Sequence, residues 1–218
     1  PIAITMGDAA GIGPEIIAKA YREDPVCMRG SFVVGDVGTL RRAASAVVPA
    51  GCLPLPVAEI ASLTEVANLP PNCIAVLPLG PALETVPWGA IEARSGALAG
   101  QCVEWAADAA LRGEIAALVT APLHKEALHA AGAPYNRFAG HTELLQQRAA
   151  RHLGMPVAQV PVRMMLANEE LRTVLVSIHV SLRDAIDAVT FDNVLQTLQI
   201  THAALSKVLG RAPRIAVA

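Results

Sequence analysis

The sequence has 218 residues, of which 53% are hydrophobic and 17% charged, with a formal net charge of −2. This composition predicts a folded globular protein, and the near-neutral charge excludes nucleic acid and acidic membranes as partners. Charged residues or prolines interrupt every apolar stretch before the roughly 18 residues that a transmembrane helix needs. The first residues do not resemble a secretory signal either, so we expect a cytoplasmic protein with no membrane partner.

Short β-branched runs alternate with longer segments of helical periodicity along the chain. This alternation predicts an α/β fold with a mainly parallel sheet. In chain order, we predict strands at 2–5, 32–34, 73–77, 118–120, 163–166, 173–178 and 215–217, and helices at 14–21, 37–46, 96–111, 124–131, 142–153 and 191–209.

The remaining segments suggest how the chain is divided. Residues 49–71 are rich in proline and predict a surface connection with one edge strand. We expect a domain boundary within Ala133–Asn136, which gives domains at 1–134 and 135–218. The sequence stops inside the apolar strand predicted at 215–217, so we expect the second domain to be incomplete. The four cysteines form no Cys-x-x-Cys pair and predict reduced, mostly buried thiols.

A glycine-rich segment, Thr5-Met-Gly-Asp-Ala-Ala-Gly-Ile-Gly-Pro-Glu15, follows the first predicted strand. Its spacing is not the Rossmann fingerprint, because position 16 is isoleucine. Gly13 and Pro14 are typical of the start of a helix, and a helix N-terminus favours an anion. The segment is either a ligand-binding turn or a tight strand-to-helix turn without a ligand.

Polar side chains also follow the strand predicted at 118–120. Thr120, His124 and Lys125 would project at the carboxyl edge of the sheet, where open α/β folds bind their ligands. A solvated lysine and a histidine at the start of a helix are the alternatives.

Two further segments contain candidate histidines. In Ala139-Gly-His-Thr-Glu143, Thr142 and Glu143 suit the start of a helix, but His141 is a poor capping residue. His179 follows the strand predicted at 173–178, where a histidine is either a metal ligand or a hydrogen-bonded structural residue. If all these segments lie between a strand and a helix, they converge at one edge of the sheet, which favours an enzyme over a scaffold.

Five segments, in this order and at similar spacing, resemble the 4-hydroxythreonine-4-phosphate dehydrogenase family. The resemblance extends through all 218 residues. The first segment is also similar to the Gly-Asp-Gly-Ile-Gly-Pro-Glu turn of isopropylmalate and isocitrate dehydrogenases, whose two-domain fold the family shares. The five segments are Gly7–Glu15, Thr120–Lys125, Gly140–Glu143, Met164–Ala167 and His179–Asp184.

The resemblance implies an enzyme of pyridoxine biosynthesis or a paralogue. It implies NAD-dependent oxidation of a small phosphorylated hydroxy acid, followed by loss of CO2, in the cleft of a homodimer. A divalent metal (zinc, magnesium or cobalt) held by three histidines would chelate the substrate hydroxyl. The resemblance assigns His179 to the metal and His141 and Thr142 to the substrate. Lys125, by its position, is our candidate for a catalytic, proton-handling or anion-binding residue.

The sequence departs from the family in two places. Members that make the vitamin B6 precursor usually have Pro-Gly-Glu-Pro-Ala-Gly where this chain has Met6-Gly-Asp-Ala-Ala-Gly11. This variant resembles relatives that oxidise D-threonate or D-erythronate 4-phosphate or an aromatic cis-dihydrodiol. The family also continues through segments with the other two metal histidines, so we expect its C-terminal third to be absent here. The alternative from another class is a non-catalytic fragment that folds and dimerises.

Overall fold

The computed structural model describes residues 1–218 and contains a central sheet of five parallel strands. The strand order is β3-β4-β2-β1-β5, and every neighbouring pair is parallel. The α/β fold with a mainly parallel sheet is therefore confirmed. The strands are β1 (Ile2–Thr5), β2 (Ser31–Gly35), β3 (Val57–Glu59), β4 (Ile74–Pro78) and β5 (Ala117–Thr120).

Five helices follow these strands, and three short 3-10 helices lie in the connections. A parallel sheet requires such crossover connections, because each strand must return to the same end of the sheet. The α-helices are α1 (Gly13–Glu23), α2 (Val37–Ala46), α3 (Ala93–Leu111), α4 (Lys125–Ala130) and α5 (His141–Leu153). The 3-10 helices are Leu63–Asn68, Tyr135–Arg137 and Val157–Gln159.

The core lies on both sides of β2, which is buried along its whole length. Phe32, Val33 and Val34 have no exposed surface, so consecutive side chains are buried on opposite faces of the sheet. The Phe32 ring meets Trp105 of α3 edge-to-face, with centroids 6.0 Å apart. Such a continuous apolar strand is what a sheet covered on both faces requires.

The helices α3, α4 and α5 pack together through small residues and one ionic cluster. A Cβ atom at Gly96 would lie 2.0 Å from the Ala127 carbonyl oxygen, so only glycine allows α3 and α4 to come this close. Arg148 of α5 binds the Asp108 carboxylate of α3 with two guanidinium nitrogens. This pair fixes α5 against α3.

The chain divides into two compact units, Pro1–Val160 and Pro161–Ala218. In the second unit, the antiparallel strands β6 (Met165–Ala167) and β7 (Arg172–Val174) precede the helices α6 (Leu182–Asp187) and α7 (Phe191–Leu209). Residues 135–160, which the sequence assigned to the second domain, belong to the first compact unit. The predicted domain boundary at residues 134 and 135 stays a prediction.

Three other predictions differ from the structure. Residues 215–217 form no strand, and β7 ends at Val174 rather than at residue 178. Only Cys102 is buried, whereas Cys27 and Cys52 are exposed, so the prediction of mostly buried thiols was wrong. No helix combines the length and the apolar composition needed to cross a membrane.

Candidate active site at the carboxyl edge of the parallel sheet

The loop between β1 and α1 is held by a buried carboxylate. Asp8 is only 4% exposed, and its Oδ1 accepts hydrogen bonds from the Ser95 hydroxyl and from the Ala10 amide (3.0 Å). The Ser95 hydroxyl in turn accepts from the Ala9 amide at 2.7 Å. The loop conformation is therefore fixed by side chains, which suits a segment that must present its backbone to a ligand.

The same loop is joined to the loop after β5. The Asp8 amide donates to the Pro122 carbonyl at 3.0 Å, next to Gly7 with a φ of 72°. A Cβ at Gly7 would lie 2.3 Å from that carbonyl oxygen, so both the conformation and the contact require glycine. The two loops that the sequence singled out are thus in direct contact at the carboxyl edge, as parallel neighbours β1 and β5 dictate.

The loop after β5 leads into α4 through His124 and Lys125. The Nδ1 atom of His124 accepts a hydrogen bond from the Ala127 amide at 3.3 Å, so this histidine caps α4 and has a structural role. Lys125 is exposed, and its Cε atom lies 3.8 Å from the position that a Cβ would take at Gly140. The lysine side chain therefore reaches the start of α5.

At the start of α5, first-turn amides and one side-chain nitrogen have no side-chain hydrogen-bond partner. Gly140 is the N-cap residue and provides no side-chain hydrogen bond, so first-turn amides lack a cap. The Nε2 atom of His141 is buried and has no hydrogen-bond partner. Burial lowers the pKa of His141 below its ordinary value, so the neutral imidazole is favoured. A buried nitrogen without a partner fits a ligand that completes its hydrogen bond.

Thr142 is half-buried in the same turn as His141. Contrary to the prediction that it lies between a strand and a helix, this segment follows the 3-10 helix Tyr135–Arg137. It lies beside the β5–α4 loop nonetheless, because Lys125 reaches Gly140. The substrate roles predicted for His141 and Thr142 stay predictions.

His179 lies in the second compact unit, in the segment between β7 and α6. It is exposed, and its φ of 57° is uncommon for a residue other than glycine. The Ser181 hydroxyl accepts a hydrogen bond from the Asp184 amide at 3.2 Å and caps the start of α6. Four residues lie between the end of β7 and His179, so His179 does not directly follow a strand.

The ligand set for a metal is incomplete within these 218 residues. No group of three His, Cys, Asp or Glu side chains is close enough to hold an ion. The residues present therefore do not fit the three-histidine site that the resemblance implies, and His179 is at most one of its ligands. Its metal role stays a prediction.

Three residues at this edge have no signal in the sequence that would have singled them out. Ser95 lies within α3, far along the chain from the Asp8 that it binds. Arg42 of α2 donates to the carbonyl oxygens of Val86 (2.6 Å) and Ala9 (3.3 Å). Its guanidinium lies 5.0 Å from the centroid of the Trp88 ring. Only long-range contacts show that these side chains support the β1–α1 loop.

Known proteins resemble this chain along its whole length. A 4-hydroxythreonine-4-phosphate dehydrogenase of Beijerinckia indica is 42% identical over 100% of this chain and 60% of its own length. A D-threonate 4-phosphate dehydrogenase of Salmonella typhimurium is 37% identical over 100% of this chain and 62% of its own length. The chain thus spans about 60% of the length of these curated relatives.

Solved structures agree with these relatives. The crystal structure of a 4-hydroxythreonine-4-phosphate dehydrogenase from Klebsiella pneumoniae matches with a TM-score of 0.78 and 34% identity, over 95% of this chain and 59% of that one. The family model for the pyridoxal phosphate biosynthetic protein PdxA matches residues 28–218. The resemblance inferred from five short segments is confirmed. The chain therefore belongs to the PdxA family of pyridoxal phosphate biosynthetic proteins.

Proposed function

We propose that the full-length protein is an NAD-dependent dehydrogenase that oxidises the secondary alcohol of a small phosphorylated hydroxy acid, with 4-phosphooxy-threonine as the first candidate. D-threonate 4-phosphate is the second candidate, because both activities are named among the relatives. The observation that supports the proposal best is the unpartnered, buried Nε2 of His141 at the uncapped start of α5, beside Lys125.

The oxidation requires a hydride to leave carbon for NAD and a proton to leave the hydroxyl group. In this proposal, His141 gives the substrate a neutral hydrogen-bonding partner, since burial disfavours its charged form. Thr142 adds a hydroxyl in the same turn. The Lys125 ammonium attracts an anionic group of the substrate, either carboxylate or phosphate. Loss of the carboxylate as CO2 would follow the oxidation.

Several accompanying properties are part of the same proposal. NAD supplies the hydride acceptor, the divalent metal would be held by His179 together with residues outside this sequence, and the active form would be a homodimer in the cytoplasm. These properties follow from the resemblance and not from geometry. The chemistry assigned to this chain is binding and orienting of the substrate by His141, Thr142 and Lys125.

The test measures NAD reduction by the purified full-length protein, with each candidate acid and a divalent metal, through the absorbance of NADH. His141→Gln should lower kcat/KM about 10- to 100-fold, because a hydrogen bond to a charged ligand contributes about 1.5–3 kcal/mol. His129→Gln is the matched control, since His129 is exposed on α4. Equal activity of the two variants would show that His141 does not bind the substrate. Absence of NADH formation with every candidate acid would refute the dehydrogenase proposal.

A further inference from the structure

A carboxylate of α3 binds the chain on both sides of His141. The Tyr135 hydroxyl, six residues before His141, donates a hydrogen bond to Glu104 Oε2 at 3.0 Å. The Nη1 atom of Arg148, seven residues after His141, donates to Glu104 Oε1 at 3.5 Å. Arg148 also binds Asp108, one turn further along α3. The two oxygens of one carboxylate thus hold the two ends of the segment that carries His141.

Tyr135 is held against α3 by its ring as well as by its hydroxyl. The side chain is buried, and a Cβ atom at Gly100 of α3 would lie 2.4 Å from the Cδ1 atom of the ring. Only glycine at this position therefore leaves room for the ring against the helix backbone. Burial and the neighbouring Glu104 carboxylate raise the pKa of Tyr135, so the phenol stays protonated and can donate. Ring and hydroxyl together fix the chain before α5 relative to α3.

His141 lies on the face of α5 that packs against α3. Residues three and seven positions along a helix share a face with the first, and here they are Leu144 and Arg148. Leu144 has no exposed surface, and Arg148 binds the carboxylates of α3. A shift of α5 away from α3 would therefore open the side of His141 that is now buried, including its Nε2 atom without a partner.

We propose that Glu104 is a positioning residue, which holds His141 in the substrate-binding turn by bonding to Tyr135 before it and to Arg148 after it. The proposal rests on the proposed function, because it takes His141 to be a residue that binds the substrate. Glu104 bonds to neither His141 nor Lys125, so it acts through its two partners. Loss of its carboxylate should let the start of α5 move while the sheet and its core stay intact.

The first test follows the His141 imidazole of the full-length protein by NMR titration, with its signal identified by its absence in His141→Gln. In wild type its pKa should lie below 6.5, because burial disfavours the charged form. Glu104→Ala should raise this pKa towards the ordinary value, since water reaches the ring. Removal of a negative charge by itself would lower a histidine pKa, so a rise reports exposure. Tyr135→Phe changes no charge and should give a smaller rise.

Glu114→Ala is the matched control, because the Glu114 carboxylate is exposed beyond the end of α3 and binds only Arg112. The charged groups at Gly140, Lys125 and Glu143, are present in every variant. A loss of stability alone would lower the midpoint of urea unfolding and leave the pKa of His141 in the folded protein unchanged. Should Glu104→Ala fail to fold, Tyr135→Phe, which removes a single hydroxyl, carries the same test.

Kinetics of the full-length protein connect this role with the reaction. Glu104→Ala should lower kcat/KM for the candidate acid about 10- to 100-fold, because a misplacement of about 1 Å has an effect of this size. Most of the loss should be in KM, since the turn binds the substrate. Glu104→Gln keeps an oxygen that accepts from Tyr135 and should restore part of the activity. Combined with His141→Gln, Glu104→Ala should cause little further loss, because residues that act through one another are not additive.

The outcomes separate this proposal from the proposed function. An unchanged pKa of His141 in both Glu104→Ala and Tyr135→Phe would refute the positioning role and leave the dehydrogenase proposal to its own test. Losses that add fully in the double variant would also refute it, because Glu104 would then act independently of His141. If the pKa rises as expected but wild-type protein reduces no NAD with any candidate acid, Glu104 positions His141 and the proposed function fails instead.

Discussion

The two compact units differ most in what they bury. In Pro1–Val160, buried apolar side chains form a continuous core around β1, β2 and β4. In Pro161–Ala218, the only buried side chains belong to Thr197 and Thr201, both polar. Large apolar residues such as Phe191 (80% exposed) and Leu182 (79%) lie on its surface. Both units are rich in apolar residues, but only the first buries them in a core.

The difference has a geometric cause. A five-stranded parallel sheet has two apolar faces, and the crossover helices cover both, so consecutive residues of β2 become buried. The antiparallel strands β6 and β7 have three residues each, so they offer little apolar area for helices to cover. A two-stranded hairpin is also only marginally stable by itself. In the second unit, Arg163 instead donates hydrogen bonds to Thr197 and Gln196. Polar contacts define its packing.

The largest expected effect is a difference in stability between two phenylalanine-to-alanine variants, one in each compact unit. Phe32→Ala should lower the free energy of unfolding by about 3–5 kcal/mol, because a fully buried phenylalanine leaves a cavity. Phe191→Ala should change it by no more than about 0.5 kcal/mol, as for other exposed positions. Urea unfolding of both variants measures this. A loss above about 1 kcal/mol in Phe191→Ala would show that a further surface covers Phe191 in solution.

A smaller effect is expected for carboxylates of the two units. Asp108→Asn should cost about 1–3 kcal/mol, since it removes the charge that Arg148 binds with two nitrogens. Asp184→Asn should cost less than about 1 kcal/mol, because its partner is the Ser181 hydroxyl in an exposed helix cap. Thermal unfolding of the two variants measures both costs. Equal costs would mean that the Asp108–Arg148 pair does not stabilise the first unit beyond an ordinary cap.

The smallest expected effect is the contribution of His141 to the pH dependence of the free energy of unfolding. Burial lowers its folded pKa below 6.5, so the unfolded state binds a proton first as the pH falls. The stability is therefore complete above pH 6.5, and it decreases as the pH falls from 6.5 towards the folded pKa. His141→Gln should reduce this decrease, which urea unfolding at several pH values measures. An identical slope in wild type and variant would contradict the burial of the imidazole.

The local elements of the first unit were predictable from the sequence. The helix α2 was predicted at both ends from its apolar period, and in the structure Asp36 caps it by accepting a hydrogen bond from the Thr39 amide at 2.6 Å. The strands β1 and β2 were predicted from β-branched runs, a signal that needs no long-range contact. In the second unit, the same signal overestimated β7 and predicted a strand at 215–217 that is not there. An apolar run forms a strand only where neighbouring strands and a packed sheet face are available to it.

The sequence by itself determined the family, the alternation of strands and helices in the first unit, and the two loops at the carboxyl edge, because these depend on local pattern and on parallel pairing. Only the tertiary structure decided which polar atoms lack partners. The free Nε2 of His141, the Ser95 hydroxyl bound to Asp8 and the charge of Arg42 beside Trp88 all depend on residues distant in the chain. Burial and hydrogen bonding are properties of three-dimensional neighbours, and one-dimensional spacing does not encode them.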